Sequence, residues 1–559
     1  MEKLYTGAGR SLPAVPWERY PRPQLRRADW LCLNGDWALR FGGTEQTIRV
    51  PFCAESLLAG LEKLPAIGET LAYRRRFTLP EGWAGRRVLL HFGAVMRKAE
   101  VSLNGRLLCR HENGYLPFTV EISDALQSGE NELCVTAVND LDHRWPWGKQ
   151  SRRRGGMWYT PCSGIWQSVW LEPVPQEYVK ALRIRNGADW VEIEAEGVRE
   201  GELLLEGEHY PLRDGRVRIS LPAPRLWSPE RPHLYDFTLV SGEDRVDSYF
   251  ALRTLTVENI DGKPRLCLNG RPYFFHGLLD QGYWSDGLYT PASPEGFEQD
   301  ILAMKALGFN TLRKHIKIEP EQYYYDCDRL GMVVFQDMVN NGEYGYIRDT
   351  VLPTLHFQRR NDKRLHRDAE SRRIFLAAME ETARLLSNHP CVCLWTIFNE
   401  GWGQFCADEA YAKLKALDPT RFISSTSGWF HQKKSDVDSL HIYFDPLHLG
   451  KEALPQLLSE FGGFVWKLPE HSFNREKTYG YRKYATREEF VRALREIYEK
   501  ELLPLAAEGL CGAIYTQVSD VEDETNGLVT FDRAVQKLRP EEFSDLAARL
   551  QSAVGRDKA

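Results

Sequence analysis

The sequence predicts a multidomain protein with an N-terminal β jelly-roll sandwich, an immunoglobulin-like β-sandwich and a C-terminal (β/α)₈ TIM barrel. Three observations predict this fold class. The chain has 559 residues, more than one hydrophobic core usually organises. Short apolar runs separated by turn signals fill the first part, and strand-like and helix-like segments alternate in the second. We place the three units at 1–174, 175–257 and 258–559.

The first unit has the pattern of a large antiparallel sandwich. Apolar runs such as Val88–Phe92 and Leu133–Val138 are separated by turn signals such as Asn104-Gly105. Short strands at that spacing favour a sandwich or jelly roll. The second unit repeats the pattern on the scale of one immunoglobulin-like sandwich, as in the alternation of Val191 and Ile193 with charged residues.

After about residue 258 the apolar period changes. Ser293-Pro294 predicts the start of a helix and Gly308 its end. Strand-like runs then alternate with helical segments, and this alternation predicts the barrel. The eight predicted strands are 273–279, 311–315, 332–338, 391–399, 422–427, 439–444, 456–460 and 511–517.

Composition excludes some classes of function. With 72 Lys and Arg against 78 Asp and Glu, the formal charge is −6, so no basic footprint for nucleic acid is present. Sixteen Trp and 24 Tyr are many, and flat rings with polar edges suit the faces of sugars. Eleven Cys without a C-x-x-C pair indicate free thiols in a reducing compartment. The start lacks a signal pattern and no apolar run has membrane length, so we expect a cytoplasmic protein without membrane contact.

Two glutamates follow directly on buried strands. In such a barrel, catalytic groups lie at the C-terminal ends of strands. Glu400 follows Cys391–Asn399 on the fourth strand and Glu460 follows Leu457-Leu458-Ser459 on the seventh. Carboxylates that face each other across a pocket are what glycoside hydrolysis requires, one as proton donor and one to attack C1. For either glutamate alone, a helix cap or a surface ion pair is the alternative.

Four further motifs carry a resemblance to a known family: Trp30–Trp37, Gly164-Ile165-Trp166-Gln167, Asn399-Glu400 and Ser459-Glu460-Phe461-Gly462. The chain resembles glycoside hydrolase family 2, the family of β-galactosidases, β-glucuronidases and β-mannosidases, over nearly its whole length. The resemblance implies that Glu400 is the acid/base, Glu460 the nucleophile, and Asn399 a ligand of the sugar 2-hydroxyl. It also implies a dimer or tetramer as a common assembly. Family β-galactosidases often bind Mg²⁺ and Na⁺, but double displacement needs no metal, and we expect no cofactor here.

Other residues at the strand ends are candidates for holding the sugar. For each of them, packing or support of a loop is the alternative. Trp284, Trp402 and Trp466, in loops, have the ring shape for stacking. By resemblance, Tyr443 is the tyrosine that the family often places beside the nucleophile. The candidates are Asp280, His315, Asp337, His441, Tyr443, Tyr515 and Gln517, with Trp429 just past the fifth strand.

The sequence predicts the identity of the sugar less directly than it predicts the reaction. Family β-glucuronidases carry an Asn-x-Lys pair after the eighth strand that binds the substrate carboxylate, and here Glu524 and Asn526 stand at those positions. An acidic loop repels a carboxylate, so we expect a neutral sugar, galactose first. The alternative is a β-hexuronide, a galacturonide before a glucuronide. It would use the cations Arg313, Lys314 and Lys317, or Arg152-Arg153-Arg154.

Two other classes of function remain open. A non-catalytic carbohydrate-binding protein on a degenerate barrel predicts the loss of one glutamate, and both are present. An enzyme that cuts within polymers needs an open groove, whereas the loop 143–160, with Trp145, Trp147 and Trp158, predicts a walled pocket and exo attack. Zinc protease, nucleotide-binding and serine hydrolase motifs are absent from the sequence. The expected partner is a small carbohydrate.

Overall fold

The computed structural model describes residues 3–61, 63–83, 85–451 and 453–555. The N-terminal unit is a sandwich of antiparallel sheets. One sheet has six strands in the order β3-β2-β4-β10-β7-β8, and a second has four in the order β1-β12-β5-β9. Buried and more exposed residues alternate along β10, because one face of its sheet covers the core. The strands are β1 Leu31–Cys32, β2 Gly35–Phe41, β3 Thr44–Val50, β4 Thr70–Thr78, β5 Arg87–Phe92, β6 Val95–Met96, β7 Lys98–Leu103, β8 Arg106–Glu112, β9 Phe118–Glu121, β10 Glu130–Val138, β11 Gly164–Ile165 and β12 Val169–Val174.

A smaller sandwich follows, with its own hydrophobic core. Its sheets have the orders β13-β14-β17 and β16-β15-β18-β19. Val191, Ile193 and Ala195 are buried in it, as their alternation with charged residues predicts. The strands are β13 Ala181–Asn186, β14 Trp190–Glu196, β15 Gly201–Leu205, β16 Glu208–Leu212, β17 Arg216–Ser220, β18 Tyr235–Ser241 and β19 Asp244–Phe250.

A short antiparallel sheet leads into the third unit. It consists of β20 Leu255–Ile260, β21 Lys263–Leu268 and β22 Arg271–Pro272. The buried Arg265 of β21 donates at 2.9 Å to the carbonyl of Leu510, the first residue of the last strand of the next sheet. This hairpin therefore covers the end of the barrel opposite to the mouth.

The third unit is a nearly closed barrel of eight parallel strands, in the order β27-β26-β25-β24-β23-β30-β29-β28. Gly428 donates to the Ser439 carbonyl at 3.0 Å where β27 meets β28. The fold class is therefore as predicted, and each predicted barrel strand is present within a few residues. The strands are β23 Phe275–Asp280, β24 Thr311–Lys314, β25 Val333–Asp337, β26 Val392–Asn399, β27 Phe422–Ser427, β28 Asp438–Ile442, β29 Gln456–Gly462 and β30 Leu510–Thr516.

Helices cover the outside of this barrel. All eight residues of β26 are buried, because the strand lies between the barrel interior and the helix layer. Gly331 ends α2 in the left-handed conformation, and a capping box of Thr486 and Glu489 begins α6. The helices are α1 Glu295–Ala306, α2 Glu321–Leu330, α3 Leu352–Thr354, α4 Ala369–Leu386, α5 Ala407–Leu417, α6 Arg487–Ile497, α7 Leu503–Glu508 and α8 Asp545–Val554.

The cysteines and the helices give two further facts about the chain. All eleven cysteines are free thiols, and seven of them are buried. Burial raises the pKa of the Cys393 thiol, which lies in β26, so this thiol stays protonated and packs as an apolar group. Among the helices of the described ranges, none has the length and apolar character of a membrane span.

Candidate active site

Glu400 lies on a strained turn that follows β26. Its φ is +52°, a left-handed conformation that is uncommon for residues other than glycine. Such backbone costs about 1–3 kcal/mol and persists where the surroundings hold it. Here the Glu400 amide donates to the Ser427 carbonyl at 2.9 Å, and the Trp402 amide donates to the Asn399 carbonyl at 2.8 Å. The turn therefore fixes the direction in which the Glu400 carboxylate leaves the strand.

Glu460 lies within β29, across the barrel mouth from Glu400. Arg313 donates to its Oε1 at 3.0 Å, and the Tyr443 hydroxyl donates to its Oε2 in a short hydrogen bond. Burial raises the pKa of Glu460, but His441, Arg313 and the Tyr443 hydrogen bond outweigh burial and lower it to about 2. Glu460 is therefore a carboxylate at neutral pH.

The two glutamates are close enough for a retaining mechanism. An oxygen of Glu400, a ring nitrogen of His441 and an oxygen of Glu460 all lie within 4.8 Å of one another. Carboxyl groups about 5–5.5 Å apart retain the configuration of the sugar, whereas inversion needs about 6.5–9.5 Å. Within the described part of the chain, these three residues also form the one group whose spacing suits a metal ion. Their contacts with each other account for that spacing.

His441, at the end of β28, connects the catalytic groups. Its Nδ1 lies 2.9 Å from Glu400 Oε1, and its Nε2 lies 2.9 Å from Ser427 Oγ and 3.4 Å from Arg313 Nη1. Its Nε2 also lies 3.5 Å from Glu460 Oε1, so the ring bridges the two glutamates. His441 therefore orients the Glu400 carboxylate.

Arg313, at the end of β24, joins four strands of the barrel. Its side chain is 1% exposed. Beside Glu460 it donates to Asp337 Oδ1 at 3.0 Å and to Asn399 Oδ1 at 2.8 Å. The sequence places Arg313 among the cations that could bind an acidic sugar. In the structure, however, its N–H groups donate to residues of the site itself. The sequence shows only that Arg313 is a cation at a strand end; its partners become apparent when the strands are brought together.

His315 and Asp337 form a buried pair behind Arg313. His315 Nδ1 lies 2.8 Å from Asp337 Oδ2. Burial, followed by the charge of Lys149, lowers the pKa of His315 to about 4, so the ring is neutral at pH 7. Burial opposes ionisation of Asp337, but the Arg313 charge outweighs it and lowers the pKa of that carboxyl. The pair holds Arg313 in place.

The other cations proposed for an acidic sugar are also engaged or exposed. Lys314 donates to Asp280 Oδ2 at 2.6 Å and to Glu319 at 2.8 Å, and Lys317 donates to Glu319. Arg152, Arg153 and Arg154 lie exposed in their loop, where Arg154 covers the ring of Phe473. The two lysines are therefore paired with carboxylates, and the three arginines lie at the surface.

Two of the predicted sugar ligands make contacts within the protein. The Asp280 carboxylate, at the end of β23, forms an ion pair with Lys314. Tyr515 is fully buried, and its hydroxyl accepts from the Phe464 amide at 3.0 Å. We therefore reassign Tyr515 from the sugar to the core. Gln517, just past β30, donates to Asn526 Oδ1 at 2.8 Å and so anchors the loop that carries Glu524.

Aromatic side chains surround the catalytic pair. Trp429 donates to the Glu400 carbonyl at 3.1 Å, and its ring meets His441 edge on. Tyr443 stacks on Tyr481 with centroids 3.8 Å apart. Tyr481 and its neighbour Tyr479 lie in the loop after β29, which shows no periodic pattern in the sequence and was not predicted to contribute. Of the residues that the sequence offers as candidates, Tyr443 contacts Glu460 and Trp429 contacts the backbone of Glu400.

A column of stacked rings brings the first sandwich to the barrel mouth. It comprises His143, Trp147, Trp158 and Trp402, and successive ring centroids lie 4.4, 5.4 and 5.4 Å apart. Trp402 is two residues from Glu400. The Trp147 amide also donates to the Asn340 carbonyl of the barrel at 3.0 Å. The loop 143–160 therefore forms one wall of the site.

Removing the Tyr443 hydroxyl tests the support of Glu460. We expect Tyr443→Phe to lower kcat/KM about tenfold to hundredfold, because a hydrogen bond to a charged group contributes about 1.5–3 kcal/mol. The depressed pKa of Glu460 would rise with loss of this donor, so the acid limb of the pH profile of kcat/KM would move to higher pH. Tyr325→Phe, at a half-buried tyrosine on α2, is the control. An unmoved acid limb would refute the assignment.

Comparison with known proteins identifies the family. Residues 51–194 match the family model for the glycosyl hydrolase 2 galactose-binding domain-like unit, and 260–452 match that for the glycosyl hydrolases family 2 TIM barrel domain. A β-galactosidase of Aeromonas hydrophila is 27% identical over 413 residues, which are 67% of this chain and 38% of that protein. A β-glucuronidase of Canis lupus familiaris is 26% identical over 410 residues, 63% of this chain and 58% of that protein. The match thus covers 38% of the length of the first relative and 58% of the length of the second.

Solved structures show the same fold. A β-glucuronidase from an uncultured Clostridium superposes with a TM-score of 0.75 at 18% identity, covering 95% of this chain and 99% of that one. A β-galacturonidase from Eisenbergiella tayi, bound to galacturonate, superposes with a TM-score of 0.68 at 21% identity and the same coverage. The two family models together match more than half of the chain. The chain belongs to glycoside hydrolase family 2.

Proposed function

We propose that this protein is a retaining exo-β-glycosidase that removes a terminal β-linked sugar by double displacement. The observation that carries the proposal is the pair of carboxylates, Glu400 and Glu460, with oxygens within 4.8 Å of one another. The ionised state of Glu460 supports its part as the nucleophile. A non-catalytic carbohydrate-binding protein would not need this spacing.

The reaction has two steps. In the first, an oxygen of Glu460 forms a bond to C1 while the bond from C1 to the leaving oxygen breaks, and that oxygen takes the proton of Glu400. In the second, Glu400, now a carboxylate, takes a proton from water as the water oxygen bonds to C1 and the bond to Glu460 breaks. Two displacements at C1 return the β configuration. Arg313 and Tyr443 stabilise the Glu460 carboxylate before it attacks C1, and again when it leaves C1 in the second step.

For the sugar, we propose a neutral hexose of the β-galactoside type. The loop after β30 brings Glu522 and Glu524 into buried positions, and Glu524 contacts Tyr159 of the wall formed by loop 143–160. The described barrel cations Arg313, Lys314 and Lys317 already bind carboxylates. A substrate carboxylate would therefore lie next to an acidic loop, and these three cations would already be paired with carboxylates of the protein.

A β-hexuronide is the second candidate. The β-glucuronidases and the β-galacturonidase among the similar proteins favour it. The walled position of Glu400, with the stacked rings on one side, supports exo attack for either sugar. Release of a monosaccharide from an oligosaccharide as first product is expected, and internal fragments would contradict it.

A panel of p-nitrophenyl β-glycosides tests the proposed sugar. We expect the galactoside to give the highest kcat/KM among galactoside, glucuronide, galacturonide, mannoside and glucoside, because Glu524 disfavours an added negative charge. The anomer first formed, followed by NMR, should be β. A double variant, Glu400→Ala with Glu460→Ala, controls for contaminating hydrolases. A uronide as the best substrate would refute the proposed sugar, and an α product would refute retention.

A further inference from the structure

Two segments beside the barrel mouth, 357–367 after β25 and 430–434 after β27, form an exposed cationic surface. The segments lie side by side, because Gln432 Nε2 donates to the Arg360 carbonyl at 2.9 Å. The chain as a whole has a formal charge of −6, so this surface differs in sign from the protein overall. The exposed cations that make up the cationic surface are Arg359, Arg364, Arg367, Lys433 and Lys434.

These five cations lack carboxylate partners among the described residues. No Asp or Glu oxygen in the described ranges lies within 4.0 Å of their charged nitrogens, whereas their neighbour Lys363 binds Glu409 at 3.3 Å. Two other carboxylates of the neighbourhood are engaged with the protein. Asp362 is buried, and Asp408 accepts from the Lys434 amide at 2.7 Å. The charge of the cationic surface is therefore available to an anionic ligand.

The cationic surface lies on the leaving-group side of the catalytic pair. The Arg360 guanidinium covers the ring of Phe430, 4.6 Å from its centroid. That ring packs so closely on Gly401 that a Cβ atom there would lie 2.2 Å from it, and Gly401 directly follows Glu400. A general acid stands beside the oxygen that it protonates, so the departing group extends past Glu400. The cationic surface therefore borders the path of that group.

An exposed ring accompanies the arginines of segment 357–367. Phe357 is 66% exposed, and its flat apolar face is of the kind that packs on sugar rings. Arg359 follows two residues later, and the paired N–H groups of a guanidinium match the two oxygens of a carboxylate. Arg364 and Arg367 lie together, because the Arg367 side chain donates to the Arg364 carbonyl at 3.1 Å. A ring next to unpaired guanidinium groups suits a carbohydrate that carries carboxylates.

We propose that the cationic surface binds the leaving part of an acidic oligosaccharide, whose sugars beyond the cleaved bond carry carboxylates. Arg359, Arg364 and Arg367 bind these carboxylates while the terminal sugar enters the pocket. Because the remainder of the protein is net negative, a polyanionic chain is attracted to this side of the mouth. The inference rests on the proposed exo-glycosidase activity. It concerns the part of the substrate outside the pocket and holds for whichever sugar is released.

Binding of trigalacturonate tests the charge preference directly. The comparison ligand is cellotriose, a neutral trisaccharide of the same length, and calorimetric titration of the wild-type protein gives the Kd of each. We expect trigalacturonate to bind at least about tenfold more tightly. This preference should disappear in about 1 M KCl, where the Debye length is about 3 Å. Trigalacturonate should also inhibit hydrolysis of the best p-nitrophenyl glycoside competitively, because it occupies the mouth.

A triple variant, Arg359→Gln with Arg364→Gln and Arg367→Gln, assigns the preference to the arginines. It should lose about tenfold in affinity for trigalacturonate, since each exposed charge pair contributes modestly. The corresponding triple lysine variant keeps the charge and should retain most of the affinity, which separates loss of charge from loss of structure. The matched control removes three exposed arginines of the second sandwich and should bind as the wild type does: Arg199→Gln, Arg213→Gln and Arg216→Gln.

Three results would overturn the proposal. These are equal Kd values for the two trisaccharides, an unchanged affinity in the triple glutamine variant, and binding that does not compete with the aryl glycoside. A lipid surface is the alternative occupant, because Tyr346 and Ile347 of the same connection are 65% and 68% exposed beside the cations. Binding to phosphatidylserine vesicles without binding to trigalacturonate would establish that alternative and exclude the proposed one.

Failure of the proposed function has a different signature. Hydrolysis of aryl glycosides without preferential binding of trigalacturonate overturns this inference and leaves the glycosidase in place. If no aryl glycoside is hydrolysed, while trigalacturonate binds through the three arginines, the glycosidase fails. The bound chain is then no leaving group, and the inference fails with it.

Discussion

Replacing Glu460 by glycine lowers kcat/KM for the best aryl β-glycoside by about 10⁴-fold or more, as expected when the nucleophile of a two-step reaction is removed. The enzyme itself can then form no bond to C1, although Arg313 and Tyr443 still line the position that the carboxylate leaves. A small anion such as azide should enter that space and attack C1 from the same face. The product would then be an α-glycosyl azide, identified by NMR.

The control for this variant is Glu130→Ala, at an exposed glutamate of the first sandwich. It should retain wild-type kinetics. A glycine variant that keeps its rate in a preparation free of other hydrolases would remove Glu460 from the mechanism. A β-glycosyl azide would assign Glu460 as the acid/base instead.

Replacing Glu400 by alanine gives the second large effect, and its size depends on the leaving group. For a substrate whose aglycone needs a proton to depart, we expect kcat/KM to fall about 10²–10⁴-fold, the contribution of general acid catalysis. A 2,4-dinitrophenyl glycoside needs no such proton, so its first step should proceed nearly as in the wild type. Hydrolysis of the glycosyl-enzyme then becomes slow, and a burst of phenol should precede a low steady rate.

Azide separates the functions of the two glutamates. In Glu400→Ala it should accept the sugar from the glycosyl-enzyme and form a β-glycosyl azide, the anomer opposite to that from the Glu460 variant. Glu409→Ala, at an exposed glutamate in the first turn of α5, is the matched control. Equal losses for good and poor leaving groups would show that Glu400 does not donate the proton.

The barrel could be predicted, and the two glutamates at its mouth could be singled out, because each depends on a local pattern. Parallel strands buried on both faces appear in the sequence as continuous apolar runs, and a glutamate at the end of such a run is conspicuous. The same pattern does not show which way a side chain at a strand end points. From the sequence alone Tyr515 is therefore a candidate for the sugar, whereas in the structure its ring lies in the core and its hydroxyl accepts from the Phe464 amide.

The remaining parts of the site depend on the convergence of distant segments. Arg313 is recognisable only when four strands bring Asp337, Asn399 and Glu460 to its guanidinium. Lys149 lies in a loop of another unit, in a stretch without periodicity, and its position over Trp402 follows from how the units meet. The spacing of these residues along the sequence shows neither the contacts of Arg313 nor the position of Lys149.

The column of rings has a consequence for synthesis of the protein. Domains fold as units, and the N-terminal one emerges from the ribosome first. Trp147 and Trp158 are therefore translated well before Trp402, the ring that completes the column. Until the barrel emerges, the nascent sandwich displays uncovered indole surface of the kind that chaperones bind. The pocket is complete only after the barrel has been translated and has closed against that surface.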